Sequence, residues 1–308
     1  MDREALHDRI RRLLFTSPAL STAFTRGEFR SVFRGRGLDF DSLREYGPDD
    51  DARLIDWNVT VRQSRAYVRT YREDRSLELV FLLDRSASMD EGSADCSKAD
   101  MALLVAALLG HAAGLRDMPV GGLHFSDRPL AWRAPRRGWR KALAFVELDL
   151  GAEGDRSLPA PRLASRASTG PSEASALADS IATVSSLLKR RSLVVILSDF
   201  RSAGWAPELA LMARRHDVVA LRLKDGLEGE LPAGGAFQAV DPETGRTRLL
   251  ALGSRSWRRA WAAFWEADAA RIREGLAGAR VPCLELDTAD DPARRLLEFF
   301  EARRRRSL

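Results

Sequence analysis

The residues of this sequence whose types and spacing could do chemistry begin with Asp84, Ser86 and Ser88, in the stretch LLDRSASM over 82–89. The stretch closes an almost wholly apolar run, 77–83, of the kind that forms a strand buried on both faces. In an open α/β sheet, ligands collect outside the carboxyl ends of the strands. A turn placed there can aim one carboxylate and two hydroxyls at one point. These are hard oxygen donors, and Mg²⁺ takes six oxygens in near-octahedral array while keeping several waters. Neutral hydroxyls with one or two carboxylates leave such an ion partly uncompensated, able to accept one more carboxylate from outside. A second apolar run, 193–197, leads into Ser198 and Asp199, which puts Asp199 at the matching edge. A further hydroxyl is expected from the loop before a helix predicted over 173–189: Ser172 first, because it stands at that helix's N-terminus, and Thr169 second. The set expected to hold Mg²⁺ or Mn²⁺ is therefore Asp84, Ser86, Ser88, Ser172 and Asp199. The competing reading is that Asp84 and Asp199 only cap loops, where serine and aspartate are common.

The elements that must position these residues follow from periodicity. Ser97 and Asp100 have capping-box spacing and open a helix to about residue 113 that is apolar almost all round, hence deeply packed. A strand is predicted over 120–125, a short edge strand over 130–132 and a helix over 138–148. Residues 150–172, rich in Gly, Pro, Ser, Ala and Arg, read as a long surface loop, uncommon enough to suggest function. Helix 205–215, strand 217–223, a β-hairpin insertion over 227–252 turning at 241–245, helix 255–278, strand 281–286 and helix 291–304 complete the chain. Strands alternating with helices imply an α/β fold with a doubly wound, mostly parallel sheet, and 77–83 as its central strand. Before it come a helix over 2–15, a break at Ser17 and Pro18, and an extended segment over 26–75 mixing Gly, Arg and Asp. The domain division drawn from this is 1–75 and 76–308.

Composition narrows the function. The 308 residues carry 49 basic and 44 acidic side chains, a net charge of +5, and Arg303, Arg304, Arg305 and Arg306 alone supply four of those charges. A nucleic-acid binder usually shows a clustered basic face rather than a basic tail, so the tail reads as a solvated helix end, or else as a contact for an acidic partner or membrane surface. With only Cys96 and Cys283, and no CxxC, neither a zinc site nor a disulfide framework is expected. Cys283 falls in a predicted buried strand as an inert thiol, whereas Cys96, on a loop, could be reactive. The N-terminus is charged from residue 2, and the longest apolar stretch, 101–115, is too short to span a bilayer and contains His111. A soluble cytoplasmic protein is expected. There is no P-loop and no GxSxG elbow, and His7, His111, His124 and His216 lie in predicted helices or strands as structural residues.

The sequence resembles the von Willebrand factor A-like members of the domain-of-unknown-function 58 family, from about residue 35 to the C-terminal helix. The resemblance is carried by GRGLDFDSLREY over 35–46, Asp50, Asp51, RLIDW over 53–57, Val68, Arg69, Tyr71 and the Asp84, Ser86, Ser88 segment. It implies a metal-ion-dependent adhesion site on an α/β sheet, with the family's metal residues falling on Asp84, Ser86, Ser88 and Asp199. It departs at two places: Ser172 stands for the family's loop threonine, and the frequent Gly-Asp-Asp turn is replaced by Pro48 followed by Asp49, Asp50 and Asp51. The implied function is non-catalytic: a protein-binding adaptor working with a MoxR-type AAA+ ATPase on client proteins, through a carboxylate of the partner. The alternatives are a phosphatase-like metal-dependent hydrolase using Asp84, and a nucleic-acid or membrane-surface binder using the basic tail. Within 35–57, Tyr46, Ile55 and Trp57 are expected to pack on the sheet as a structural strap while Arg44 and Arg53 pair with aspartates; the alternative is a docking surface that mixes Arg, Asp and exposed aromatics.

Overall fold

The computed structural model describes residues 3–16, 39–47, 55–57, 59–60, 65–72, 77–93, 95–138, 176–229, 231, 236–240, 247–251 and 254–307. Its centre is β3, Leu79–Asp84, every residue of which is buried. It is flanked by β4, Val120–Phe125, and β6, Leu193–Ser198, both equally buried and both parallel to it. Beyond β6 lie β7, Asp217–Lys224, and β10, Cys283–Asp287, again parallel. Beyond β4 lies β5, Pro129–Arg136, antiparallel and at the edge. Counted along the chain within this six-stranded sheet, the order is 3-2-1-4-5-6, that of a doubly wound sheet. The α/β, mostly parallel architecture expected from the sequence is the one observed, with the 77–83 run at its middle.

Side chains alternate across a strand, and each face has its own helices. Val80, Leu82, Val194, Ile196, Val218 and Ala220 pack in one core with residues of α3, Ala176–Leu187, α4, Ala206–Arg215, and α5, Arg255–Gly278. Helix α2, Lys98–Gly114, packs on β3, β4 and β7, with α1, Arg3–Thr16, and α6, Pro292–Ser307, against it. Its N-terminus is the expected capping box: the Asp100 N–H donates to Ser97 Oγ at 3.1 Å and the Ser97 N–H to Asp100 Oδ2 at 3.1 Å. The hairpin insertion exists as β8, Ala236–Val240, and β9, Thr247–Ala251, an antiparallel pair forming its own two-stranded sheet, while its turn, 241–245, lies outside the described residues. So do the predicted helix at 138–148, except residue 138 in a bend, and the loop 150–172. No helix among the described residues is long and apolar enough to cross a membrane.

The chain divides into residues 1–33 with 78–308, and residues 34–77. This differs from the division drawn from composition, because α1 groups with the sheet: Leu6 and Ile10 are buried and the helix packs on α2. The smaller unit is a hairpin of β1, Asp39–Glu45, and β2, Tyr67–Arg72, with Ile55 bridged to Val68. Trp57 is 67% exposed and Tyr46 37%. The side chains of Arg44 and Arg53 lie outside the described residues. Of the tail arginines, Arg303 is tied to the fold, its Nη2 2.6 Å from Asp217 Oδ1.

Candidate metal centre

Strands β3 and β6 are the first and fourth of the sheet, so the point where the winding changes direction lies between them, the place where doubly wound sheets leave a crevice. Asp84 ends β3, Ser198 ends β6 and Asp199 follows it. After Asp84 the chain turns through a short 3₁₀ segment, Ala87–Asp90, in which the Met89 N–H donates to Ser86 O and Met89 is wholly buried. This turn swings Ser86 and Ser88 back over the strand ends.

The side chains meet. Ser88 Oγ donates to Asp199 Oδ2 at 2.8 Å, and Ser86 Oγ lies 3.2 Å from Ser88 Oγ. Asp84 is held by both oxygens: the Ser86 N–H donates to Oδ1 at 2.9 Å and Ser198 Oγ to Oδ2 at 2.5 Å. Ser198 Oγ also accepts the Phe200 N–H at 3.0 Å, and Asp199 Oδ1 accepts the Arg201 N–H at 3.1 Å. Phe200 has a positive φ of 58°, and Trp205 supports it edge-on while donating its Nε1–H to Phe200 O at 3.3 Å. Asp199 therefore sits on a turn fixed from below by buried aromatics. Four of the five residues expected to bind metal are brought together. Ser172, and its alternate Thr169, lie outside the described residues.

Sequence reading missed the cation in the centre. Lys98, the first residue of α2, is fully buried, with Nζ 2.8 Å from Glu228 Oε1, 3.2 Å from Glu91 Oε2 and 3.3 Å from Asp199 Oδ2. Arg201 adds a looser contact, 3.6 Å from Glu91. Glu91 and Lys98 are brought together by a tight loop: a side chain at Gly92 would lie 2.5 Å from Cys96 O. Glu228 is set by the turn after β7, where Asp225 accepts from the Ser93 N–H, the Leu227 N–H and Thr288 Oγ1 at 2.7, 3.0 and 2.7 Å. The signal available in the sequence was a lone lysine beside the cap of an otherwise apolar helix.

The electrostatics favour an added cation. Burial, and then the negative charge of Asp199, push the Asp84 carboxyl above its ordinary range, against the hydrogen bonds from Ser198 and Ser86. Burial would lower the Lys98 ammonium, but Asp199, Glu228 and Glu91 outweigh it and hold the lysine charged. Four acidic groups, Asp84, Asp199, Glu91 and Glu228, gather here with the two basic groups Lys98 and Arg201, and burial pushes the Glu228 carboxyl up as it does Asp84. Among the described residues no group of three or more His, Cys, Asp and Glu side chains could hold a metal, so the side-chain donors on offer here are two carboxylates with the serine hydroxyls. The spacing suits them: with bonds of about 2.1 Å, adjacent ligands of an octahedral Mg²⁺ lie about 3 Å apart, close to the 2.8 and 3.2 Å separations of the Ser86, Ser88 and Asp199 oxygens. Donor chemistry and spacing both fit a small divalent ion.

Cys96 is buried rather than accessible on its loop, and burial raises its thiol to about 11. Burial likewise raises Cys283 to about 11, although that residue is only half-buried.

The family profile described as "Protein of unknown function DUF58" matches residues 42–271, well over half of the chain. The chain belongs to the DUF58 family. An uncharacterized protein of Mycobacterium tuberculosis (strain H37Rv) is 29% identical over 317 residues, a match covering all of this chain and 93% of that protein. An uncharacterized protein of Mycobacterium avium is 32% identical over 121 residues, 39% of this chain and 71% of that one. Among solved structures, the conserved hypothetical protein BatB of Bacteroides thetaiotaomicron aligns over 75% of this DUF58 chain and 100% of its own, with 14% identity and a TM-score of 0.46. An aerotolerance-related membrane protein of Bacteroides fragilis aligns over the same shares, with 15% identity and the same TM-score. A likeness at that level carries no inference about function.

Proposed function

We propose that this protein is a non-catalytic, metal-dependent protein-binding adaptor that works with a MoxR-type AAA+ ATPase on client proteins. The observation that carries the reading is the convergence of Ser86, Ser88 and Asp199 beside Asp84 at the switch point of the sheet. Asp84, Ser86, Ser88 and Asp199 would hold the ion, with Ser172 as the further hydroxyl. Bound Mg²⁺ or Mn²⁺ would supply an electrophilic face for an Asp or Glu of the partner. The chain's own work is preorganisation. Ser198 and the Ser86 N–H fix the Asp84 carboxylate, the 3₁₀ turn presents two hydroxyls side by side, and the Phe200 turn sets Asp199.

The test is recovery of a MoxR-type ATPase, or of its client, on immobilised wild type and Asp84→Ala, each with Mg²⁺ and with EDTA. Recovery is expected on wild type with Mg²⁺ alone. Equal recovery in all four conditions would mean that the ion is not the contact.

A further inference from the structure

Lys98 stands where local chemistry gives least reason for a lysine. It opens α2, where a cation opposes the positive end of the helix dipole, and its side chain is fully removed from water. Both penalties are offset by carboxylates from three separate parts of the fold: Glu91 in the loop before α2, Asp199 after β6, and Glu228 after β7. One buried ion pair would satisfy a lysine placed only for packing. Here the ammonium is shared, and Asp199 Oδ2, the oxygen it approaches, is also the acceptor of the Ser88 hydroxyl.

We propose that Lys98 is the resident counter-cation of the metal centre: it partly neutralises Asp199 while orienting that carboxylate on Ser88, so that a bound divalent ion receives less charge from the protein and keeps its appetite for a partner's carboxylate. Glu228 and Glu91 limit the effect by sharing the ammonium. Lys98 is thus a positioning residue, and this role rests on the metal-binding reading above. It has a signature that packing alone lacks: the two members of the closest pair act on the ion with opposite signs. Removing the lysine charge strengthens ion binding at the cost of the fold, and removing the Glu228 charge weakens ion binding although Glu228 is not among the proposed ligands.

Calorimetric titration of Mg²⁺ and of Mn²⁺ into wild type, Lys98→Met, Lys98→Arg and Glu228→Gln tests this at fixed ionic strength. Lys98→Met should bind at least about tenfold more tightly, Glu228→Gln at least about threefold more weakly, and Lys98→Arg within about threefold of wild type. Unchanged or weaker binding by a folded Lys98→Met, or unchanged binding by Glu228→Gln, overturns the proposal. If Lys98→Met does not fold, Glu228→Gln decides it. If wild type takes up neither ion at millimolar concentration, the metal-binding reading fails and the tuning role fails with it. The Lys98–Asp199 pairing is then judged separately, by thermal denaturation in EDTA of Lys98→Met, Asp199→Asn and the double variant. Coupling makes the double variant lose less than the sum of the two singles, whereas additive losses refute the pairing.

Discussion

Replacing Ser198 by alanine should cost far more than the loss of one hydroxyl suggests. Ser198 is 1% exposed, and its oxygen joins two structures: it donates to Asp84 Oδ2 at 2.5 Å and accepts from the Phe200 N–H at 3.0 Å. Alanine removes both bonds and supplies neither partner with another. A hydrogen bond to a charged group contributes about 1.5–3 kcal/mol, and leaving a buried donor such as the Phe200 N–H unsatisfied costs about 1–3 kcal/mol. The two losses share one atom and do not simply add, so the expected destabilisation is about 3–4 kcal/mol, a large fraction of the roughly 5–15 kcal/mol that holds a typical domain together. The same change removes a hydrogen bond that favours the ionised form of Asp84, and should push that carboxyl further up. Urea denaturation followed by far-UV circular dichroism measures the loss. Ser86→Ala is the comparison: Ser86 is half-exposed, and its hydroxyl meets that of Ser88 and adds a hydrogen bond to the Asp84 carboxyl, so its cost should stay within about 1.5 kcal/mol. A Ser198→Ala loss below about 1 kcal/mol would refute the reasoning, because it would mean that the strand ends are not joined through this oxygen.

Three further outcomes are expected. A Cβ at Gly275 would fall 2.7 Å from Trp205 Cη2, so Gly275→Ala should destabilise by about 1–2 kcal/mol despite gaining helix propensity, whereas Gly278→Ala, with nothing within 4 Å, should stabilise by about 0.5–1 kcal/mol; opposite shifts in Tm check the pair. Cys96 and Cys283, both raised to about 11, should resist Ellman's reagent at pH 8 in the native protein and react once guanidinium unfolds it; a thiol titrating within minutes in the native state would contradict their placement. Burial would raise Asp225, but the bonds from Ser93, Thr288 and Leu227 outweigh it and lower its pKa. A lowered folded-state pKa gives stability that is present above the unfolded value and lost as pH falls through the folded one. Asp225→Asn should therefore show a shallower acid limb below about pH 4, and an acid limb identical to wild type would exclude that role.

The sheet was legible because its central strands are buried on both faces, which forces near-continuous apolar runs at 79–84 and 193–198. The Asp84, Ser86, Ser88 and Asp199 cluster was legible for the same reason, since a motif that follows such a run must lie at the strand's carboxyl end. Edge strand β5 runs beyond the expected 130–132 to take in Pro129 and Pro135; at an edge, the missing N–H of a proline need not break the ladder. Lys98 could not be assigned because its partners, Glu91, Asp199 and Glu228, are joined only by the completed fold. Cys96 misled because a loop position implies exposure, and the fold-back at Gly92 that helps bury it depends on close contact rather than on composition.

The most direct test of the account is calorimetric titration of Mg²⁺ into wild type and Asp84→Ala, with circular dichroism confirming that both are folded. Asp84 is the one proposed ligand on the central strand, and its carboxylate accepts from Ser198 Oγ and the Ser86 N–H. Saturable binding of one ion per chain by wild type, absent from Asp84→Ala, is the predicted result. Equal binding by the two proteins, or no binding by wild type at millimolar Mg²⁺, would contradict a metal centre at the end of this strand.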